Sequence, residues 1–102
     1  MAIDPEDSGD LAADVARRLS QSRRALGLDQ QSFGESAGLS QPRYNQYETG
    51  RRLLTLPAAM ALCDRHLLTL DWIFRGDPSG LPARLHGAIM AARRAAAARS
   101  NQ

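Results

Sequence analysis

The sequence has no lysine and only one cysteine, Cys63. A single cysteine excludes an intrachain disulfide framework and a cysteine-based zinc module, and it suits a reducing cytosol. Valine and isoleucine together number 4, against 17 alanines and 14 leucines, which disfavours a β-sandwich or barrel and predicts an all-α fold. No apolar run approaches the ~18 residues that a membrane span needs. One small helical domain is therefore expected from the 102 residues.

Patterns that carry catalysis are also missing. The sequence contains no glycine-rich phosphate loop, no carboxylate pair placed for a cleft and no plausible Ser/His/Asp set. We therefore expect neither an enzyme nor a cofactor, and no small-molecule substrate. Residues 1–10 are acidic and lack the basic-then-apolar order of a signal peptide, so a cytoplasmic protein is expected.

One pair of potential metal ligands lies on a predicted helix. Cys63 and His66 are three residues apart, but the sequence offers no second pair beyond the isolated His86. Because a structural metal site needs about four ligands, we expect no metal. Cys63 is instead expected to be a small buried hydrophobic residue.

The charges are distributed asymmetrically. Residues 1–14 carry five acids and no base, whereas residues 15–99 carry 13 arginines against six acids, a net charge of +7. The planar fork of arginine suits phosphates and guanine edges better than lysine does, although a GC-rich genome would produce the same usage. The basic body predicts a polyanionic partner.

Breakers and caps divide the chain into three parts. Residues 1–10 are predicted to be a disordered acidic tail, 11–80 a five-helix domain, and 81–102 a last helix with its tail. Ser8 or Asp10 is expected to cap the first helix, which runs to about residue 25. The following helices are predicted at about 30–37, 41–49, 56–66, 70–75 and 82–99, with N-caps at Asp29, Ser40, Thr55 and Thr69.

The second and third helices form a helix-turn-helix pattern, because only Gly38, Leu39 and Ser40 separate them. Gly38 is expected to end the second helix in a left-handed conformation, and Leu39 to fill the angle between the helices. Aromatic and small residues are predicted to pack inward: Phe33, Ala37, Tyr44 and Tyr47. The opposite face of the third helix is polar and largely uncharged, so base edges could be read there; its residues are Pro42, Arg43, Asn45, Gln46 and Thr49.

Two stretches resemble lambda-repressor-like, or XRE-type, helix-turn-helix DNA-binding domains: RLSQSRRALGLDQQSFGESAGLSQPRYNQYETGRR at 18–52 and TLDWIFRGDPSGLP at 69–82. The resemblance covers roughly residues 12–80, and it implies that the third helix docks in the major groove of DNA. Gln41, Pro42 and Gln46 match base-contacting positions of that family, with Arg43 and Asn45 beside them.

The same resemblance implies a second set of roles. Gln30 would contact a phosphate and brace Gln41, and the segment 49–52 would lie along the DNA backbone. The phosphate-contacting residues of that segment are expected to be Thr49, Arg51 and Arg52. Arg23 is expected to pair structurally with Glu48, the alternative being a further phosphate contact.

Four residues depart from the family pattern. Gly34 replaces an alanine, Tyr44 a small aliphatic residue, and Ser22 an apolar residue. Leu67 replaces the glycine that follows the fourth helix, so a different backbone is expected in that turn. Tyr44 is expected to displace the third helix slightly outward.

The predicted function is sequence-specific binding of double-stranded DNA by a transcriptional regulator, as a homodimer on a near-palindromic operator. The alternative is an antitoxin or anti-regulator that mainly binds a partner protein through its acidic tail or last helix. The last helix carries an apolar stripe that includes Leu81, Leu85 and Ile89. We expect that stripe to form the two-fold interface together with the fifth helix; the alternative is that it docks on its own five-helix body.

Overall fold

The computed structural model describes the backbone of residues 7–100 and the side chains of residues 11–98. Five α-helices and one π-helix follow one another, and this part of the chain contains no strand. The helices are α1 (Asp7–Ala25), α2 (Gln30–Ser36), α3 (Gln41–Glu48), α4 (Leu56–His66), the π-helix (Asp71–Arg75) and α5 (Ala83–Ser100). The predicted all-α fold with an additional C-terminal helix is confirmed.

The first helix begins earlier than the sequence suggested. Asp7 is already helical, so neither Ser8 nor Asp10 is the N-cap, and the predicted tail loses residues 7–10 to the helix. The helix dipole favours acidic residues in a first turn, a preference that extends α1 toward the N-terminus. The rest of the predicted tail, residues 1–6, lies outside the described residues.

Three of the four predicted N-caps, Asp29, Ser40 and Thr55, are confirmed. Asp29 accepts a hydrogen bond from the amide of Ser32 at 2.7 Å. Ser40 and Thr55 accept from amides three residues ahead, each at 3.3 Å. Thr69 accepts from the Trp72 amide at 3.0 Å, but it lies one residue before Leu70, which is the N-cap of the π-helix. These side chains satisfy amides that the first turn of each helix leaves without a partner.

The turn after α4 corrects an expectation. Leu67 adopts the left-handed conformation that a glycine would take there, with φ 60° and ψ 30°. This conformation costs a side-chain-bearing residue roughly 1–2 kcal/mol. Burial of the next residue, Leu68, offsets that cost, so the backbone of the turn keeps its shape without the glycine.

Ser22, the polar residue at an otherwise apolar position, has a defined role in the core. Its hydroxyl donates to the carbonyl oxygen of Arg18 at 2.7 Å and accepts from the indole Nε1 of Trp72 at 2.8 Å. Ser22 and Trp72 are both buried. Because a buried indole N–H needs an acceptor, Ser22 allows Trp72 to occupy the core.

The last helix completes the core of its own chain. Leu81, Leu85 and Ile89 are buried in the same cluster as Leu19 and Trp72, and α5 packs along α1. The expected interface between two chains through Leu85 and Ile89 is therefore wrong, and the alternative of docking on its own body is correct. The physical reason is that the five preceding helices leave an apolar face uncovered, which α5 closes.

Within residues 7–100, no helix is long and apolar enough to cross a bilayer.

Candidate nucleic-acid interface

The turn between α2 and α3 has the predicted geometry. Gly38 has φ 77°, and the amide of Leu39 donates to the carbonyl oxygen of Gly34 at 2.9 Å. Leu39 is buried between the two helices. Ser40 then starts α3, with Pro42 in its first turn, where the missing amide hydrogen has no cost. This turn fixes the direction in which α3 leaves the body of the domain.

Two departures from the family pattern compensate for each other. Tyr44 is fully buried rather than pushed outward, because Gly34 faces it across the helix pair. A Cβ at position 34 would lie 2.9 Å from the Cβ of Tyr44, closer than two such atoms approach. The glycine therefore makes room for the tyrosine, and the ring of Tyr44 packs edge-on against Phe33 at 5.3 Å. The expected outward displacement of α3 has no support in this packing.

Glu48, at the end of α3, is the centre of a polar network. The guanidinium of Arg23 donates to both of its carboxylate oxygens, at 2.7 and 3.2 Å. The hydroxyl of Tyr44 donates to the same carboxylate at 2.7 Å, and Nε2 of Gln30 at 2.6 Å. The predicted Arg23–Glu48 pair is confirmed, with side chains only 13% and 8% exposed.

Burial and hydrogen bonding act in opposite directions on Glu48. Burial raises the pKa of the carboxyl group, but donors from Arg23, Tyr44 and Gln30 outweigh that effect and hold the pKa below its usual value. The hydrogen bond to Glu48 correspondingly raises the pKa of Arg23. Arg23 also donates to the carbonyl oxygen of Leu28 at 2.9 Å. Its guanidinium therefore binds groups of the domain itself.

Gln30 connects this network to the exposed face of α3. Its Oε1 accepts from Nε2 of Gln41 at 2.9 Å and from Nδ2 of Asn45 at 3.1 Å. The predicted brace on Gln41 is confirmed. The contact with Asn45 was not foreseen, nor was that between Gln30 and Glu48, since both require residues 15 or more positions apart to meet. A contact of Gln30 with DNA phosphate remains a prediction.

The remaining predicted contact residues surround the outer face of α3. Gln41, Pro42 and Arg43 are exposed at its N-terminal end, and Gln46 is half-buried. Asn45 is half-buried and directs its amide group toward Gln30. The structure thus brings four of the five predicted base readers to an accessible face and ties the fifth, Asn45, to the support beneath it.

The three predicted phosphate contacts at the end of α3 are exposed. Thr49, Arg51 and Arg52 follow one another around Gly50, which has φ 77°. The amides of Arg51 and Arg52 both donate to the carbonyl oxygen of Gln46, at 3.0 and 3.2 Å. These two hydrogen bonds hold the backbone of Arg51 and Arg52 against the end of α3, while the two side chains are exposed to solvent.

His66 and Cys63 form no metal site with a third ligand. Nε2 of His66 lies 2.7 Å from the hydroxyl of Ser36, and its ring stacks on Phe33. Cys63 is half-buried against the core, and burial raises the pKa of its thiol. Among the residues with described side chains, no group of three His, Cys, Asp or Glu side chains could hold a metal ion.

Comparison with known proteins agrees with this geometry. Residues 14–71, more than half of the chain, match the family described as a helix-turn-helix domain. The chain belongs to this helix-turn-helix family. The match begins within α1 and ends at the first residue of the π-helix, so it contains the turn, α3 and the Arg23–Glu48 pair, and it leaves out α5.

A relative of the helix-turn-helix chain supports the same assignment. An uncharacterized transcriptional regulator in the ATPase CF(0) region of Rhodospirillum rubrum is 33% identical over 82 residues, covering 74% of this chain and 76% of the relative. No solved structure matches the chain. Family and relative together support a DNA-binding role in the regulation of transcription.

Proposed function

We propose that this helix-turn-helix protein is a transcriptional regulator that binds double-stranded DNA sequence-specifically, with α3 in the major groove. The observation that carries the proposal is an exposed polar face on α3 whose supporting side chains are locked by hydrogen bonds. Rigid support matters because base recognition needs donors and acceptors at fixed positions. Such a protein acts on the nucleoid, in the cytoplasm.

Base recognition is assigned to the accessible end of α3. Gln46 and Gln41 each carry an amide that can pair with N6 and N7 of adenine, and Arg43 carries a fork that suits O6 and N7 of guanine. Pro42 offers an apolar contact for a thymine methyl group. Asn45 contributes through Gln30, to which it is bonded.

Phosphate binding is assigned to the residues that flank this face. Arg51 and Arg52 provide two full charges directly after α3, and Thr49 precedes them. Gln30 keeps one amide hydrogen beyond its bond to Glu48, which suffices for a phosphate oxygen. The acid of α3, Glu48, is compensated by Arg23 and does not oppose a polyanion at this face.

A homodimer on a near-palindromic operator is part of the proposal, because one such domain reads only half a site. With the stripe of α5 buried, another apolar surface is needed for self-association. Leu56 and Met60 are one helical turn apart on α4 and are 55% and 50% exposed; Leu53, just before α4, is 43% exposed. These three side chains support an interface next to the arginines that follow α3.

The test compares two alanine variants on selected and random duplexes. Operator fragments are first selected from a random duplex pool with the purified chain. Gln46→Ala is expected to weaken binding to the selected site by ~1–3 kcal/mol and to random DNA very little, whereas Arg51→Ala weakens both about equally. Gln31→Ala, on the exposed side of α2, is the matched control.

Two outcomes contradict the proposal. One is equal weakening of selected and random DNA by Gln46→Ala, which removes that residue from base recognition. The other is an affinity that stays flat between 50 and 200 mM salt, since a dimer with about 6–10 phosphate contacts loses roughly 10³-fold or more over that range.

A further inference from the structure

A cluster of arginines lies away from the proposed DNA-binding face and has no role in it. Arg17 and Arg18 of α1, Arg75 at the end of the π-helix and Arg93 of α5 surround one small polar cavity, together with Gln21. The cavity has a volume of about 110 Å³, which corresponds to three or four water molecules at ~30 Å³ each.

The cavity faces away from α3. Arg23 is the residue of α1 that binds Glu48 at the end of α3. Gln21 is two residues earlier, and at 3.6 residues per turn it projects about 160° from Arg23. A DNA duplex that contacts α3 is therefore on the other side of α1 from this cluster.

One guanidinium of the cluster is held in place before any ligand arrives. Arg18 is half-buried, and its Nη1 donates to the carbonyl oxygen of Ile73 at 3.1 Å. Its Nη2 lies where a side chain at position 76 would be, 2.8 Å from an ideal Cβ, so Gly76 makes room for it. Because the guanidinium is fixed by the backbone, a ligand would bind it with little loss of side-chain entropy.

The positive charges of the cluster are poorly compensated. Arg17 pairs with Asp14 at 3.1 Å. The pKa of Asp77 is lowered mainly by hydrogen bonding from Ser79 and only to a small extent by the charge of Arg75, so Asp77 compensates little of the charge of the cluster. Burial, with the charges of Arg17 and Arg93, lowers the pKa of Arg18 in spite of the opposing charge of Asp14. Like charges gathered around a cavity repel one another, and an anion in the cavity would relieve that repulsion.

We propose that this arginine cavity binds the phosphate group of a small molecule. Four guanidiniums from three helices surround the cavity, and a tetrahedral oxyanion with several acceptor oxygens can receive donors from that many directions. A carboxylate has two oxygens and is satisfied by one or two guanidiniums. The volume holds one phosphate group, and the three exposed arginines leave it open on the solvent side, where the rest of a larger molecule would lie.

The probes are inorganic phosphate, pyrophosphate and adenosine monophosphate, titrated into the full chain by calorimetry at constant ionic strength, with chloride as the control anion. Saturable binding with one site per chain is expected. A preference for inorganic phosphate identifies a free anion, and a preference for the nucleotide identifies a phosphate carried by a larger molecule.

The decisive variants are Arg93→Gln and its neighbour Arg94→Gln. Both arginines are exposed on α5, but only Arg93 lines the cavity. Arg93→Gln is expected to raise the dissociation constant about tenfold or more, as a lost charged hydrogen bond does, and Arg94→Gln less than twofold. Arg75→Gln should reproduce the effect of Arg93→Gln, and circular dichroism checks that every variant is folded.

Three results overturn the proposal: no saturable binding of any probe, binding that Arg93→Gln leaves intact, or equal loss in Arg93→Gln and Arg94→Gln. Binding of duplex DNA by the same variants separates this site from the proposed function. If Arg93→Gln weakens DNA binding while no phosphate probe binds, the cluster is a DNA contact and the proposal is wrong. If DNA binding is unaffected and phosphate binding is lost, the cavity is a separate site.

Discussion

At the scale of single residues, Glu48 links three helices through one carboxylate. It receives donors from Arg23 of α1, Gln30 of α2 and Tyr44 of its own helix. The pairing with Arg23 could be predicted from the family resemblance, and the four-residue spacing of Tyr44 and Glu48 placed those two on one face. The hydrogen bond from Gln30 to Glu48 could not be predicted, because it depends on the angle between α2 and α3.

The first prediction concerns the coupling between Arg23 and Glu48. Each single alanine variant leaves a charge in a poorly hydrated place, so each is expected to reduce the free energy of unfolding by about 3 kcal/mol. The double variant should lose less than the sum of the two. Urea unfolding of the four proteins in a double-mutant cycle measures the coupling. Arg24→Ala, exposed on the same helix, is the control, and strictly additive losses would mean that the pair does not contribute.

The second prediction concerns pH and follows from the lowered pKa of Glu48. Its pKa in the folded protein lies below the ordinary value of 4.5, so the unfolded chain binds the proton first as the pH falls. The stability that Glu48 contributes is therefore fully present at pH values above about 4.5. It is lost as the pH falls through the pKa of the folded protein. Urea unfolding of wild type and Glu48→Gln is compared at neutral and acidic pH. The advantage of the wild type should shrink in acid; a constant advantage would contradict the ionised network.

At the scale of secondary-structure elements, N-cap residues and glycines were the features of the sequence that best predicted where helices begin and end. Asp29, Ser40 and Thr55 mark helix starts because their side chains accept from amides of the first turn, which is a local property of the sequence. The start of α1 could not be predicted to the residue, because several acidic residues suit a first turn equally well. The conformation of Leu67 differs from the expectation because the preference for glycine is a local rule, and burial of the neighbouring Leu68 outweighs it.

The third prediction tests the contact between α2 and α3. In an unconstrained helix, replacing glycine by alanine adds about 0.5–1 kcal/mol of stability. At position 34 the new methyl group would lie 2.9 Å from the Cβ of Tyr44, so Gly34→Ala is expected to destabilise the protein by about 1–3 kcal/mol instead. Affinity for DNA should also fall, because α3 must move to relieve the contact.

The matched control for that variant is Gly87→Ala in α5. An added Cβ there meets nothing within 4 Å, so a gain in thermal stability is expected. If both alanine variants are stabilised equally, then α2 and α3 separate without cost and the compensation between Gly34 and Tyr44 is not real.

At the scale of the whole molecule, the sequence placed the boundary of the folded unit too early. The stripe of Leu81, Leu85 and Ile89 was visible in the sequence, but a stripe does not indicate whether its partner is the same chain or a second one. Only the uncovered face of the preceding helices decides this, and that face is formed by residues distant in sequence. The helix-turn-helix part was predictable because its turn, caps and charges are local features of the sequence. The packing of α5 on this part was not predictable, because it depends on residues that are distant in sequence.

The fourth prediction follows from this boundary. A chain that stops after Gly80 loses three buried side chains, each worth about 1.5–3 kcal/mol, against a total stability of roughly 5–15 kcal/mol for a domain. We expect it to unfold at a much lower temperature or to show no cooperative transition by circular dichroism. A chain that stops after Arg94 keeps Leu81, Leu85 and Ile89 and is the control. If the shorter chain melts like the full one, α5 is not part of the folded unit.

The bond between Trp72 and Ser22 has an optical consequence. Trp72 is the one tryptophan of the sequence, it is 1% exposed, and its indole N–H is bonded to a buried hydroxyl. Its fluorescence therefore comes from a single buried environment in every folded molecule, beside the arginine cavity that Trp72 also lines, and the ring becomes fully exposed to water only when α1 and the π-helix separate. The wavelength of its emission thus reports whether the body that carries α3 is intact, without a label and without interference from a second tryptophan.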